Sequence, residues 1–434
     1  MLGVVCLPVS GQKAWTLEEC VNYGMERSID IKRQEYTIDR EQLSLLEGKW
    51  AFIPRLSAST SYTMSTGRVL DPTTYDFVKT NYTGSNSTSV SGDITLFEGG
   101  RKLFALSRAK LSLRAAILQD ESLRHSLRIQ IIGAYMDVLC AREQVRIAEE
   151  TSNLVERQLD RTKTMYEAGS ITETDVLQLH AQLTAAKKDV SSAEYSCRMA
   201  RLTLCDLLEW EDYENFEVAD LTDNNLSFTG WNREAVLELQ PEIRASALQK
   251  ELADIDYKLA VAAISPRLSL SAGFGTSFSD ARRKTLFNED GTVRYEAYPF
   301  FEQYADNRSA FVSLSLSIPI LNGLSTRNSI KRARITVAES ELSVQETRKR
   351  LRKQLIQAEI DYCSARDRYQ HSEEEASYAR EVFSQIDRKY NLGAVDYLAW
   401  NSAAVELAKA RYMLADAKYT CMLRGEILNC LYFK

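Results

Sequence analysis

The residues of this chain best suited to chemistry are three histidines (His125, His180 and His371) and eight cysteines, at positions 6, 20, 140, 197, 205, 363, 421 and 430. Their spacing serves neither metal binding nor nucleophilic attack. No Cys-x-x-Cys pair occurs, and no histidine stands beside a cysteine at metal-ligand spacing. Nucleophile elbows and phosphate loops are missing too. An enzyme reading therefore has little support, and neither cofactor nor metal is expected. Two carboxylates are placed more tellingly. Tyr166-Glu-Ala-Gly169 is followed by Thr172-x-x-Asp175, and Tyr390-Asn-Leu-Gly393 is followed by Asp396. In each case the glycine ends one helix and the acid caps the next.

Those two turns lie 224 positions apart, and other segments repeat with them. Leu96-Phe-Glu-Gly99 recurs as Ile320-Leu-Asn-Gly323 at the same offset, and Ile53-Pro-Arg-Leu-Ser-Ala-Ser59 recurs as Ser265-Pro-Arg-Leu-Ser-Leu-Ser271 at an offset of 212. The chain contains one unit twice. Duplicated units of this length shape ducts, rings or superhelices more readily than a single catalytic cleft. The expected division is a signal-like segment over 1–14, a first repeat over 15–209, a linker over 210–230 and a second repeat over 231–434.

Long helices hold the turns. Leu127, Ile131, Ala134, Val138 and Ala141 open a seam of alternating four- and three-residue steps that reaches Tyr166, and Leu351, Leu355, Ala358, Tyr362 and Ala365 open its copy. After each glycine the pattern resumes, through Leu179, Leu183 and Ala186 and through Ala403, Leu407 and Ala410, broken only at Arg424. Cys197 and Cys421 share one seam position in the two copies and read as small packing residues. With only 7 Pro and 18 Gly in 434 residues, long uninterrupted helices are expected over 100–166, 173–209, 324–390 and 397–431. The first would be roughly 100 Å long. Shorter helices are expected at about 17–49 and 231–263.

Between the helices lie strands, expected over 54–66, 87–97, 266–279 and 309–319. Leu268, Leu270, Ala272 and Phe274 alternate with Ser269, Ser271, Gly273 and Gly275, and Val312, Leu314 and Leu316 alternate with Ser313, Ser315 and Ser317. An apolar face opposite a face of small uncharged residues is the pattern of a strand between lipid and a water-filled lumen. The loops at 66–87 and 280–308 are rich in Asn, Thr, Asp and Tyr and account for the extra length of the second repeat. Four strands cannot close a membrane barrel, and open strand edges cannot sit in lipid. Several chains must combine, and three, giving twelve strands, leave room for a conduit where two would not. No run of 18 apolar residues offers a transmembrane helix. The net charge of −6 is spread along the chain and gives no footprint for nucleic acid. Leu2–Val9, followed by Ser10-Gly11, reads as the back end of a signal peptide with cleavage near Gly11.

Taken together, the duplicated order of helix, strand pair, long helix, turn and helix resembles the TolC-type outer-membrane efflux proteins. The prolines that open the strands (Pro54 and Pro266), the Ser-Ile-Pro-Ile-Leu-Asn-Gly run at 317–323 and the Tyr-x-x-Gly turns carry that resemblance across residues 15–432. It implies a mainly α protein with a membrane β part. Antiparallel coiled-coil helices form an α-barrel, and four strands per chain enter a trimeric 12-stranded β-barrel in the outer membrane of a Gram-negative bacterium. The helical part crosses the periplasm. The implied partners are two further copies of the chain, outer-membrane lipid, a periplasmic membrane-fusion adaptor and an inner-membrane transporter. The implied adaptor-docking turns are Ala168, Gly169, Ser170, Ile171 and Thr172, and Leu392, Gly393, Ala394 and Val395. Relatives carry an acid six positions after the first glycine, which is Asp175 here. Its copy is Ala399, with Asp396 adding charge close by, and together these residues form the implied periplasmic gate. Carboxylates gathered on a symmetry axis repel one another and favour cations over anions. The rival reading is a cell-envelope coiled-coil scaffold without a pore, which accounts for the seams but not for the serine-faced strands.

Overall fold

The computed structural model describes residues 14–70, 77–169, 171–221 and 233–432. The signal-like segment up to 13 with Cys6, the turn residue Ser170, and the end of the linker lie outside the described residues. Two compact units share the chain, and each draws on both repeats. One comprises Met1–Ile38, Ala116–Ala247 and Ser343–Lys434, and the other Asp39–Ala115 and Leu248–Leu342.

The helical unit contains the heptad seams. Helix α3 (Arg101–Glu167) and helix α4 (Glu173–Leu208) form one hairpin, and α8 (Ser325–Asn391) and α9 (Tyr397–Tyr432) form the other. Seam residues Leu127, Ile131, Ala134, Val138, Val155 and Leu159 are buried, as are Leu351, Leu355, Tyr362 and Ala365 in the copy. Arg424, which breaks the seam, reaches Asp361 with Nη1 to Oδ2 at 3.6 Å, so the charge at an apolar position is matched across the hairpin. At the base, Ile131, Ile132, Tyr135 and Leu139 of α3 pack with Leu204 and Leu208 of α4, with Cys20 of α1 (Leu17–Arg27), and with Phe216 and Val218. The Tyr135 hydroxyl stands 3.0 Å from the carbonyl of Trp15 and 2.7 Å from that of Ala219. Burial pushes the Cys20 thiol up to about 12, with Glu19 and Cys205 adding to the effect. The seven described cysteines are free thiols.

The short helices depart from expectation in the same way in both repeats. The helix expected over 17–49 is broken at Ser28 (φ −48°, ψ 126°) into α1 and α2 (Ile29–Trp50). The helix expected over 231–263 is broken at Gln240, the residue in the same repeat position, into α5 (Arg233–Leu239) and α6 (Pro241–Ala262). Pro241 explains the second break. Proline disfavours helical angles in the residue before it but fits the first turn of a new helix. Ser28 closes α1 by donating its N–H to the Gly24 carbonyl at 2.9 Å.

The other unit holds the sheet. Strands β1 (Arg55–Leu70) and β2 (Phe77–Phe97) outrun the expected 54–66 and 87–97, so much of the 66–87 stretch is hairpin rather than loop. The pairing passes a register shift between Ser65 and Gly67 and resumes at Gly67↔Thr80. Backbone pairing there needs no alternation of side chains, which is why the polar sequence hid it. Strand β3 (Arg267–Ser279) is followed by a separate hairpin, β4 (Arg283–Phe287) with β5 (Val293–Ala297), then by helix α7 (Phe300–Asp306) and strand β6 (Ser309–Ser317). The 280–308 stretch expected as loop therefore carries its own small fold. Its turn residues Gly291 and Asp290 allow the hairpin, Gly291 with φ +81°.

The four-stranded sheet has the order β1-β2-β3-β6, all antiparallel. One face carries a serine ladder. Ser57–Ser91, Ser59–Ser89 and Ser61–Ser87 pair hydroxyl to hydroxyl at 3.3, 3.1 and 3.0 Å. The other face carries Leu56, Val312, Leu314 and Leu316, each at least 60% exposed in the single chain. On that apolar face α7 covers the polar end. The Tyr304 hydroxyl bonds Thr88 Oγ1 at 2.8 Å and also Asn86, and Phe300 stacks on Tyr304 and packs at a tilt against Phe278. Among the described residues no helix is long and apolar enough to cross a membrane.

Candidate functional site

The hairpin tips gather most of the residues singled out from the sequence. At the first tip Gly169 donates its N–H to the Tyr166 carbonyl at 2.9 Å, and at the second Gly393 donates to Tyr390 at 3.0 Å. Their φ angles are +72° and +73°, and a Cβ at either would meet nothing within 4 Å. Glycine is there for its backbone angle and not for close packing. Ala168, Gly169, Leu392, Gly393 and Ala394 are exposed, while Ile171 and Val395 are half-buried.

Both acids expected at the gate are helix caps. Asp175 Oδ2 accepts from the Thr172 N–H at 3.1 Å and from the Thr172 hydroxyl at 2.8 Å, at the start of α4. Asp396 Oδ1 accepts from the Ala399 N–H at 2.9 Å, at the start of α9. Ala399 is half-buried.

The tip also carries a bonding network beyond the turns and the acids. Trp400, fully buried, donates Nε1 to Asp387 Oδ1 at 2.9 Å, and Asn391 donates to the other Asp387 oxygen at 3.2 Å. Arg161 of the first hairpin reaches the Asn391 side chain and, at 3.5 Å, its carbonyl. Tyr397 donates to Gln182, which in turn donates to Asn401. Further up, Arg411 Nη1 meets Glu150 Oε2 at 2.8 Å. The bonds of Arg161, Gln182 and Arg411 tie the α3–α4 hairpin to the α8–α9 hairpin, while the Trp400–Asp387–Asn391 bonds lie within the second. A sequence signal did exist. The repeats diverge at these places, with Val176 standing where Trp400 does, Lys163 for Asp387 and Glu167 for Asn391.

The sequence model of the family described as outer membrane efflux protein matches residues 25–208 and 233–422, which is most of the chain and both repeats. The chain belongs to this family. Curated relatives include the alkaline protease secretion protein AprF of Pseudomonas aeruginosa, 27% identical over 75% of this chain and 65% of AprF. The pyoverdine export outer membrane protein OpmQ of the same organism is 26% identical over 76% of this chain and 68% of OpmQ. The matches thus span about two thirds of these relatives' length. Among solved structures, the CmeC outer membrane channel of Campylobacter jejuni superposes with a TM-score of 0.81 at 14% identity, covering 96% of this chain and 85% of that one. The efflux-family fold, an α-helical barrel part with a β part of the outer membrane, is therefore the fold of this chain.

Proposed function

We propose that the chain is one protomer of a homotrimeric exit duct, a passive channel that crosses the outer membrane and extends into the periplasm as part of a tripartite efflux or secretion system. The observation that carries this reading is the open four-stranded sheet. Among the described residues its edges β1 and β6 have no strand neighbour, and its faces are split between exposed aliphatics and a serine ladder. In lipid every unpaired strand edge costs several kcal/mol per group, so such a sheet is completed only by other copies. On β6 the apolar face carries the exposed Val312, Leu314 and Leu316, and the exposed Ile318 and Ile320 follow just past its end. A face of this kind suits the apolar band of an outer-membrane barrel. At the other end Tyr304 and α7 cover Asn86 and Thr88, so polar groups on that face are withdrawn from lipid.

In this reading the glycine turns are the periplasmic tips. The exposed Leu392 and Gly393 and the half-buried Val395, with Ala168, Gly169 and Ile171, offer short apolar turns to an adaptor, which couples the duct to an inner-membrane transporter. That transporter selects the cargo. Asp175 and Asp396 line the narrowing, and the Arg161–Asn391 and Tyr397–Gln182 bonds hold the two hairpins together in the closed state.

The test is extraction and reconstitution. The protein should leave the membrane fraction only with detergent, migrate as a heat-modifiable trimer and open ion-conducting pores in planar bilayers. A monomer recovered in buffer without detergent would refute the duct and favour a scaffold.

A further inference from the structure

Arg55 and Arg267 are one residue of the repeat seen twice, each following the proline that opens its strand and lying 212 positions apart. Each is the first residue of its strand. Counted by alternation from Ser57 and Ser269, both fall on the serine-bearing face. What stands opposite them differs between the copies. Arg55 pairs with Asp93, whereas Arg267 pairs with Ser317, the equivalent of Asp93 at an offset of 224. The first copy thus sets a cation opposite an anion, and the second sets a cation opposite a neutral serine.

The surroundings add to the imbalance. Arg55, Asp93 and Arg267 line one cavity of about 320 Å³ together with Glu98, Arg101 and Lys102, four cations against two carboxylates. Arg267 Nη2 donates to Thr95 Oγ1 at 3.2 Å, and Lys102 Nζ donates to the Thr95 carbonyl at 2.9 Å. Arg55, Asp93 and Arg267 are all exposed.

We propose that Arg55 and Arg267 form a cationic girdle where the strands begin, tempered by Asp93, which biases the duct toward anionic solutes bearing carboxylate, phosphate or sulfonate groups. The inference rests on the reading that the serine face lines the lumen. Two arginines and one aspartate per chain become six and three in a trimer. The charge of the girdle reaches about 10 Å into the lumen at 0.1 M salt and about 3 Å at 1 M. Charged rings of this kind set ion selectivity in pores.

The experiment is the reversal potential of trimers in planar bilayers under a KCl gradient. Arg267→Gln removes the charge and leaves a shorter, neutral polar side chain. It should lower the chloride-to-potassium permeability ratio about twofold or more at about 0.1 M, and the difference should collapse at about 1 M. Arg267→Lys should restore the wild-type ratio. Asp93→Ser, which makes the first copy resemble the second, should raise the ratio. Heat-modifiable migration confirms that each variant assembles, and Asp93→Ser tests the girdle independently of any change at Arg267. Variant pores with wild-type selectivity at low salt would overturn the girdle and leave the duct standing. A wild-type protein that opens no pores would remove the duct, and the girdle with it.

Discussion

Asp175 uses one oxygen for two bonds to Thr172 and keeps Oδ1 clear of them, so capping and gating can share a single side chain. The two roles separate by mutation. Asp175→Ala should weaken the start of α4 by about 1 kcal/mol, the usual cost of a lost cap. Asp175→Ser can still accept from a helix N–H but carries no charge. If the carboxylate helps set the closed conductance, both variants should shift conductance and cation preference in planar bilayers. Only the alanine variant should also lower the thermal midpoint of the trimer. Wild-type conductance in both would leave Asp175 as a cap alone. The capping motif was legible in the sequence because Thr172-x-x-Asp175 is a local pattern. The Trp400–Asp387–Asn391 cluster was not, because its bond from Trp400 to Asp387 crosses the turn at a spacing that follows no motif. Only the breakdown of the repeat marks them, since a position serving one copy has no reason to be matched in the other.

At the scale of elements, the heptad seams and glycine turns were readable because period and backbone angle are properties of neighbouring residues. Less visible were features that tertiary pairing decides. The outer halves of β1 and β2 have no apolar alternation, yet they pair as far as Leu70↔Phe77. The break at Ser28 carries no proline, unlike the break before Pro241. The links between hairpins belong to this scale also. Arg161 with Asn391 and Tyr397 with Gln182 each join the first hairpin to the second near the tip. Hydrogen bonds on exposed and half-buried side chains are individually modest, typically about 0.5–1.5 kcal/mol, so one substitution should do little. Arg161→Ala combined with Tyr397→Phe should raise the mean single-channel conductance and the frequency of large openings while the trimer stays intact. A double variant with wild-type conductance would show that these bonds do not hold the tip closed.

For the whole molecule, the duplication constrains how copies join. Within one chain the second strand of the first repeat pairs with the first strand of the second repeat, through Ser89↔Gly275, Ser91↔Gly273 and Asp93↔Ser271. Shifting the first member by 224 and the second by 212 carries the same rule to the open edges. Ser313, Ser315 and Ser317 of β6 then oppose Thr63, Ser61 and Ser59 of β1 in the partner subunit. All six residues lie on the serine-bearing face, so this register keeps the ladder continuous around the barrel, whereas a slip of one residue would turn every aliphatic inward. Directly opposed residues have Cα atoms about 4.5–5.5 Å apart, inside the span of a disulfide. A displacement of four residues adds roughly 13 Å and forbids the bond. Ser315→Cys with Ser61→Cys should therefore give a covalent trimer on a non-reducing denaturing gel after mild oxidation. Ser315→Cys with Ser57→Cys should not. No native cysteine lies in the four strands to confuse the pattern. Cross-linking through position 57 in preference to 61 would mean that the barrel closes with a different stagger, and that the junction between subunits does not copy the junction between repeats.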